Sequence, residues 1–79
     1  MNENKMQGRS SQAFARNLRR LRSAVPNLTQ RRLAKALGVS RSCYARYEEG
    51  ARLPPAWLAV KAANYFHVSM DELFKELTR

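Results

Sequence analysis

The stretch LAKALGVSRSCYARYEEG, residues 33–50, contains two short helical patterns separated by a glycine and a serine. Leu33 and Leu37 share one helical face before the glycine, and Tyr44 and Tyr47 share another after it. A single long helix would need neither interrupting residue. The interruption therefore predicts two helices that meet at a steep angle and share one core, which is a helix-turn-helix.

The residues around these patterns supply helix start and stop signals. Thr29 and Ser40 are good N-caps, because a hydroxyl oxygen can accept from the free amides of the first turn. Gly38 occupies the position after a helix that favours a left-handed backbone. The sequence therefore predicts helix 2 at about residues 30–37 and helix 3 at about residues 41–48.

The rest of the chain also reads as helices. Apolar residues at helical spacing predict helix 1 at about residues 12–23, through Phe14, Leu18, Leu21 and Val25. Helix 4 is predicted at about residues 55–66, and a Ser69–Glu72 capping box predicts the start of helix 5. We expect an all-α five-helix domain over residues 12–79, preceded by a disordered polar tail at residues 1–11.

The charge of the chain is strongly segregated. The 79 residues carry 15 Lys and Arg against six Asp and Glu, a net charge of +9. Eleven of these basic residues but only two acids lie between Arg9 and Arg52, and the remainder is neutral. This distribution predicts a polyanionic partner for the first two-thirds of the chain, with a merely solvated basic surface as the alternative.

Other function classes find little support in the composition. One His, one Cys and scattered acids supply no nucleophile with its base and no metal cluster, so we expect no enzyme, metal or cofactor. The polar N-terminus and the absence of a membrane-length apolar run predict a cytoplasmic protein with no membrane partner. Binding of anionic membranes through helix 1 remains an alternative, although the core accounts better for its apolar residues.

The segments NLRRLR, LTQRRLAKALGVSRSCYARYEEG, RLP and HVSMDELF, between about Phe14 and Leu77, resemble the Cro and phage-repressor-like helix-turn-helix regulators, often called the XRE family. The resemblance implies a lambda-repressor-like bundle that reads double-stranded operator DNA in the major groove, usually as a homodimer. It also implies transcription regulation, for which repression is the simplest expectation because it needs only occupancy. An antitoxin-type protein-interaction module that also binds DNA is the alternative.

The resemblance also assigns roles to individual residues. The residues expected to read bases are Ser40, Arg41, Ser42 and Arg46, with plain capping as the alternative for Ser40 and phosphate contact or solvation for the arginines. The residues expected to bind phosphate are Gln30, Arg31, Arg32 and Arg52, and the resemblance implies that Gln30 also orients neighbouring side chains. Arg31 and Arg32 depart from the family pattern, which often has acids there, and solvated side chains are their alternative.

Two further sets of residues follow from the same resemblance. Arg22 and Glu48 stand where relatives have a salt bridge between helix 1 and the end of helix 3, with two unrelated surface charges as the alternative. Trp57, Tyr65 and Phe74 are expected at a dimer interface, although Trp57 could instead cover the edge of its own core.

Overall fold

The structure, a computed structural model, describes residues 3–76 and has five helices within that range. They are α1 (Glu3–Ser23), α2 (Gln30–Leu37), α3 (Arg41–Glu48), α4 (Ala56–Phe66) and α5 (Met70–Phe74). Residues 3–76 contain no strand. The predicted all-α five-helix fold, with a helix-turn-helix formed by helices 2 and 3, is therefore confirmed.

Helix α1 is longer than the sequence pattern predicts. It begins at Glu3, so residues 3–11 are helical where the sequence pattern indicates a disordered tail, and residues 1 and 2 lie outside the described range. Ser11, at the end of this added segment, is buried, and the next residue, Gln12, lies close against Gly50. Val25 is also misassigned, because it follows the end of α1 and is 40% exposed.

The helix-turn-helix has the boundaries that its caps predict. Thr29 Oγ1 accepts from the Arg32 amide at 3.1 Å, and Ser40 Oγ accepts from the Cys43 amide at 3.1 Å. Gly38 ends α2 with a φ of 83°, a left-handed conformation that costs glycine little because it has no Cβ. This turn lets α3 start three residues later, at Arg41, in a new direction.

One apolar core joins the five helices. Its largest fully buried side chains are Phe14, Leu18, Leu33, Leu37, Tyr44, Leu58 and Leu73. Phe74 packs against this core and stacks on Phe14, with ring centroids 5.2 Å apart. Helix α1 contacts both α3 and α5, so the same helix holds the helix-turn-helix and the last described helix.

Capping residues define the ends of α4, and hydrogen bonds from α1 hold the end of α5. Helix α4 starts at Ala56 with Pro55 as its N-cap, and it ends at Phe66 with His67 as its C-cap, at a φ of 57°. Asn17, buried on α1, donates through Nδ2 to the backbone carbonyls of Leu73 at 2.8 Å and Lys75 at 3.0 Å. Asn17 therefore fixes the end of α5, and the sequence pattern did not indicate it. Leu77, predicted on the apolar side of helix 5, lies outside the described residues.

Candidate nucleic-acid interface

Helix α3 has one buried side and one exposed polar side. Tyr44 and Tyr47 are buried in the core. Arg41, Ser42 and Arg46, the residues expected to read bases, are all exposed. Since Ser42 and Arg46 are four residues apart, they share one helical face. The helix therefore presents two guanidinium groups and a hydroxyl to solvent from a side that the core does not use.

Ser40 has a structural role that is sufficient to explain it. Its Oγ caps α3 by accepting from the Cys43 amide. The residue is exposed, and the hydroxyl retains its own proton as a donor. Capping and a DNA contact are therefore compatible at this position.

Gln30, the first residue of α2, connects the exposed side of α3 to the protein interior. Its Nε2 donates to Glu48 Oε1 at 2.9 Å. Its Oε1 accepts from Arg41 Nη1 at 3.0 Å. The Gln30 side chain thus links a buried carboxylate to an exposed guanidinium at the start of α3.

Glu48 is the centre of a polar network at the end of α3. Only 3% of the residue is exposed. Arg22 donates to both of its carboxylate oxygens, from Nε to Oε2 at 2.5 Å and from Nη2 to Oε1 at 3.2 Å. The Tyr44 hydroxyl also donates to Oε2. Arg22 and Glu48 thus form a bidentate salt bridge between α1 and α3, and Gln30 adds α2 to it.

The network determines the charge states of its members. Burial alone would raise the pKa of Glu48, but the hydrogen bonds from Arg22, Tyr44 and Gln30 outweigh it and hold that pKa below its ordinary value. The hydrogen bond to Glu48 raises the pKa of Arg22. Burial, followed by the bond to Glu48, raises the pKa of Tyr44. At neutral pH the network is therefore a carboxylate, a guanidinium and a neutral phenol.

Arg19 gives α1 a second contact with the same end of α3. Its Nη1 donates to the backbone carbonyl of Glu48. A cation at a helix C-terminus is favourable because the unpaired carbonyls there carry partial negative charge. The sequence interpretation assigned no role to Arg19 or to the Tyr44 hydroxyl. The spacing of three between Arg19 and Arg22 places both on one face of α1, which is the signal that could have indicated this contact.

The residues expected to bind phosphate lie at the start of α2 and after α3. Arg31 and Arg32 are exposed in the first turn of α2, which contains no acid. Arg32 Nη1 donates to the Asn27 carbonyl at 3.3 Å, so its side chain reaches back over the preceding loop. Arg52 is exposed in the loop that follows α3.

The three residues expected at a dimer interface do not form one exposed set. Trp57 and Tyr65 on α4 are 53% and 41% exposed. Phe74 is half-buried and packs against the core, and its expected place at a dimer interface stays a prediction. Lys61 Nζ lies 6.0 Å from the centroid of the Trp57 ring and covers part of it. The exposed aromatic surface thus belongs to α4.

Neither a metal site nor a membrane-spanning helix is found in the described part of the chain. No group of three or more His, Cys, Asp or Glu within residues 3–76 could hold a metal ion. None of the helices described here is long and apolar enough to cross a membrane.

Comparisons with known proteins identify the class. The helix-turn-helix domain family matches residues 13–77. An uncharacterised helix-turn-helix-type transcriptional regulator of Methanocaldococcus jannaschii is 45% identical over 51 residues, 65% of this chain and 77% of that regulator. Another such regulator, YazB of Bacillus subtilis, is 38% identical over 63 residues, 80% of this chain and 90% of YazB.

A phage protein is also among the relatives. The cryptic phage CTXphi transcriptional repressor RstR of Vibrio cholerae is 40% identical over 47 residues, which are 60% of this chain and 42% of RstR. No solved structure matches. The chain belongs to the helix-turn-helix domain family, as its resemblance to Cro and phage-repressor-like regulators predicts. Its function class is DNA-binding transcription regulation.

Proposed function

We propose that this protein represses transcription by binding double-stranded operator DNA with α3 in the major groove. The observation that carries the proposal is the two-sided character of α3. Its inner side is fixed by Tyr44, Tyr47 and Glu48, while Arg41 and Arg46 are exposed. A rigidly held helix with exposed donors is what direct reading of base edges requires. The proposal includes no catalytic step and no cofactor, and it places the protein in the cytoplasm.

Within this proposal the residues of α3 read bases. Arg41 and Arg46 suit guanine, because a guanidinium can donate to O6 and N7 together, a contact worth about 1–3 kcal/mol of discrimination. Ser40 and Ser42 can donate or accept and are therefore less selective. Arg46 lies one turn beyond Ser42, so the two would meet neighbouring base pairs.

The exposed cations around α2 bind phosphates in this proposal. Arg31 and Arg32 are unfavourable beside the positive end of α2, by a few tenths to about 1 kcal/mol each. A DNA phosphate bound at this helix N-terminus would make the two arginines favourable there. Arg52, from the loop after α3, supplies a further contact. Gln30 can also contribute, since Nε2 has a second proton beyond the one donated to Glu48.

We further propose that the protein binds as a homodimer through α4. The +9 net charge between Arg9 and Arg52 disfavours contact between two copies there, whereas the rest of the chain is neutral. Trp57 and Tyr65 lie on α4, in this neutral part. Two recognition helices would then be spaced by one helical turn of DNA, about 34 Å, on a roughly palindromic operator.

Selection of bound duplexes from a random DNA pool tests the proposal. The affinity of the selected sequence is then measured against salt for the wild type and for Arg41→Ala, Arg46→Ala and Lys75→Ala. Lys75→Ala is the matched control, because it removes one positive charge after α5, away from α2 and α3. The expected result is a palindromic consensus whose discrimination falls in the two α3 variants and persists in the control.

The opposite results are equally clear. A pool without a consensus, with an affinity that only fades as salt rises, would reject sequence reading and leave a non-specific polyanion surface. A single, non-repeated half-site bound by one copy would reject the homodimer alone.

A further inference from the structure

The Gln30 side chain lies between two groups of opposite hydrogen-bonding character. Glu48 is ionised and can only accept, whereas the Arg41 guanidinium can only donate. The amide of Gln30 has one donor end and one acceptor end. Its observed orientation, Nε2 to Glu48 and Oε1 to Arg41, is the one that satisfies both neighbours.

This orientation is imposed from the interior. Glu48 is almost fully buried, and Arg22 donates to both of its carboxylate oxygens, which holds Oε1 toward Gln30. The reversed amide would place oxygen against oxygen at 2.9 Å, the present Nε2 to Oε1 distance. It would also present an NH2 group to Arg41, which has no acceptor. The carboxylate therefore dictates that Gln30 offers an acceptor to residue 41.

We propose that Glu48 is a positioning residue for DNA reading, which orients Arg41 through the polarity of the Gln30 amide although it does not itself reach DNA. This proposal rests on the proposed function, and it states how the base-reading side chain of Arg41 is oriented. Gln30 takes one of the five N–H donors of Arg41. The others remain available for a two-donor contact with guanine, and the guanidinium is already oriented before DNA binds.

The structure provides a variant that separates this relay from stability. The Tyr44 hydroxyl donates to Glu48 Oε2, whereas Gln30 donates to Oε1. Tyr44→Phe therefore weakens the network on the side away from Gln30. Gln30→Ala breaks the relay and leaves the contacts among Arg22, Tyr44 and Glu48 in place. Glu48→Gln removes the acceptor-only partner and allows the amide to reverse.

The experiment measures the binding of the selected duplex and of duplexes with each single base pair changed, by fluorescence anisotropy, together with thermal unfolding. Gln30→Ala is expected to lower discrimination about five- to tenfold at the base pair that Arg41→Ala identifies, the loss of one charge-assisted hydrogen bond. Glu48→Gln is expected to act at the same base pair. Tyr44→Phe is expected to lower the melting temperature and to leave every discrimination ratio unchanged.

The combination of variants gives the decisive comparison. In the Arg41→Ala background, Gln30→Ala should have no further effect on discrimination at that base pair, because the relay has lost its end point. A loss of affinity that is equal for all duplexes would show a phosphate contact of Gln30 and would overturn the relay. If Glu48→Gln does not fold, Glu48→Asp replaces it: its carboxylate, on a side chain shortened by one methylene, withdraws from Gln30, and discrimination at the Arg41 base pair should again fall.

The outcomes also separate the relay from the proposed function. Discrimination that Arg41→Ala removes but Gln30→Ala and Glu48→Gln retain would overturn the relay and leave operator reading intact. A consensus that Arg41→Ala leaves unchanged would do the same. A wild-type protein without any preferred sequence would overturn operator reading, and the relay with it.

Discussion

Replacement of Arg22 by alanine should destabilise the protein far more than an ordinary surface substitution. The side chain donates twice to Glu48 and, through Nη1, to the Leu28 carbonyl at 3.1 Å. The side chains of Arg22 and Glu48 are only 21% and 4% exposed. Arg22→Ala therefore leaves a carboxylate that is buried and has lost its cation.

The magnitude follows from this geometry. Removal of one partner from a buried ion pair costs about 3–5 kcal/mol, because the remaining charge is not compensated. Tyr44 and Gln30 still donate to Glu48, and Arg22 is partly solvated, so we expect a somewhat smaller cost of about 2–4 kcal/mol. For a domain of this size each 1 kcal/mol shifts the melting temperature by roughly 4–8 °C. A loss of about 3 kcal/mol would thus lower it by roughly 12–24 °C.

Urea unfolding of the wild type, Arg22→Ala and Arg20→Ala provides the assay. Arg20 lies on the same helix and pairs with Glu72 at 3.8 Å, with the two side chains 54% and 43% exposed. An exposed pair contributes about 0–1 kcal/mol, so Arg20→Ala controls for the loss of one arginine from α1. Equal unfolding free energies for the two variants would refute the argument from burial. Operator affinity should fall with stability in Arg22→Ala, because α1 no longer fixes the end of α3.

Three further predictions test other contacts. The pKa of Glu48 is lowered on folding, so the contribution of this carboxylate to stability is complete above the ordinary glutamate pKa of about 4.3 and is lost as pH falls through the lower folded pKa. The free energy of unfolding, measured from pH 7 to 3, should therefore fall less steeply with acid in Glu48→Gln than in Glu49→Gln. Identical pH profiles for the two variants would contradict this. Asn17→Ala should cost about 1–3 kcal/mol, because it leaves two carbonyls at the end of α5 without their donor, whereas the exposed Asn64→Ala should be nearly neutral in the same denaturant titration. Gly38→Ala should cost about 1–2 kcal/mol of stability, because the backbone at this position has a φ of 83°. Gly8→Ala lies within α1 with open space for a Cβ, so it should be neutral or stabilising by up to about 1 kcal/mol. Calorimetry that ranks the two variants in the opposite order would refute the conformational argument.

Local signals explain why the helix-turn-helix could be predicted closely. Caps act within three or four residues, as at Thr29 and Ser40, and Gly38 marks the turn by its own backbone freedom. The predicted bounds of helices 2 and 3 agree with the structure for the same reason. The start of α1 was missed because residues 3–11 have no apolar periodicity, and of residues 8–11 only Ser11, at the end of this segment, is buried.

The candidate site also has some features that the sequence predicts and others that it does not. Exposure of Ser42 and Arg46 follows from helical periodicity once Tyr44 and Tyr47 are assigned to the core, whereas the exposure of Arg41, three residues before Tyr44, does not. The position of Phe74 could not be predicted so directly, because a residue at the end of a short helix can face the core or a partner. In the structure it packs against the core and stacks on Phe14, and its place at a dimer interface stays a prediction.

The sequence by itself determined the helical class, the turn between α2 and α3 and the concentration of positive charge between Arg9 and Arg52. Each of these depends on residue type and short spacing. Only the tertiary structure decided that Glu48 is buried, that it joins three helices and that it sets the polarity of Gln30 toward Arg41. Those contacts join residues 18 and 26 positions apart, and the hydrogen-bonding role of an amide is defined only by the groups on both sides of it.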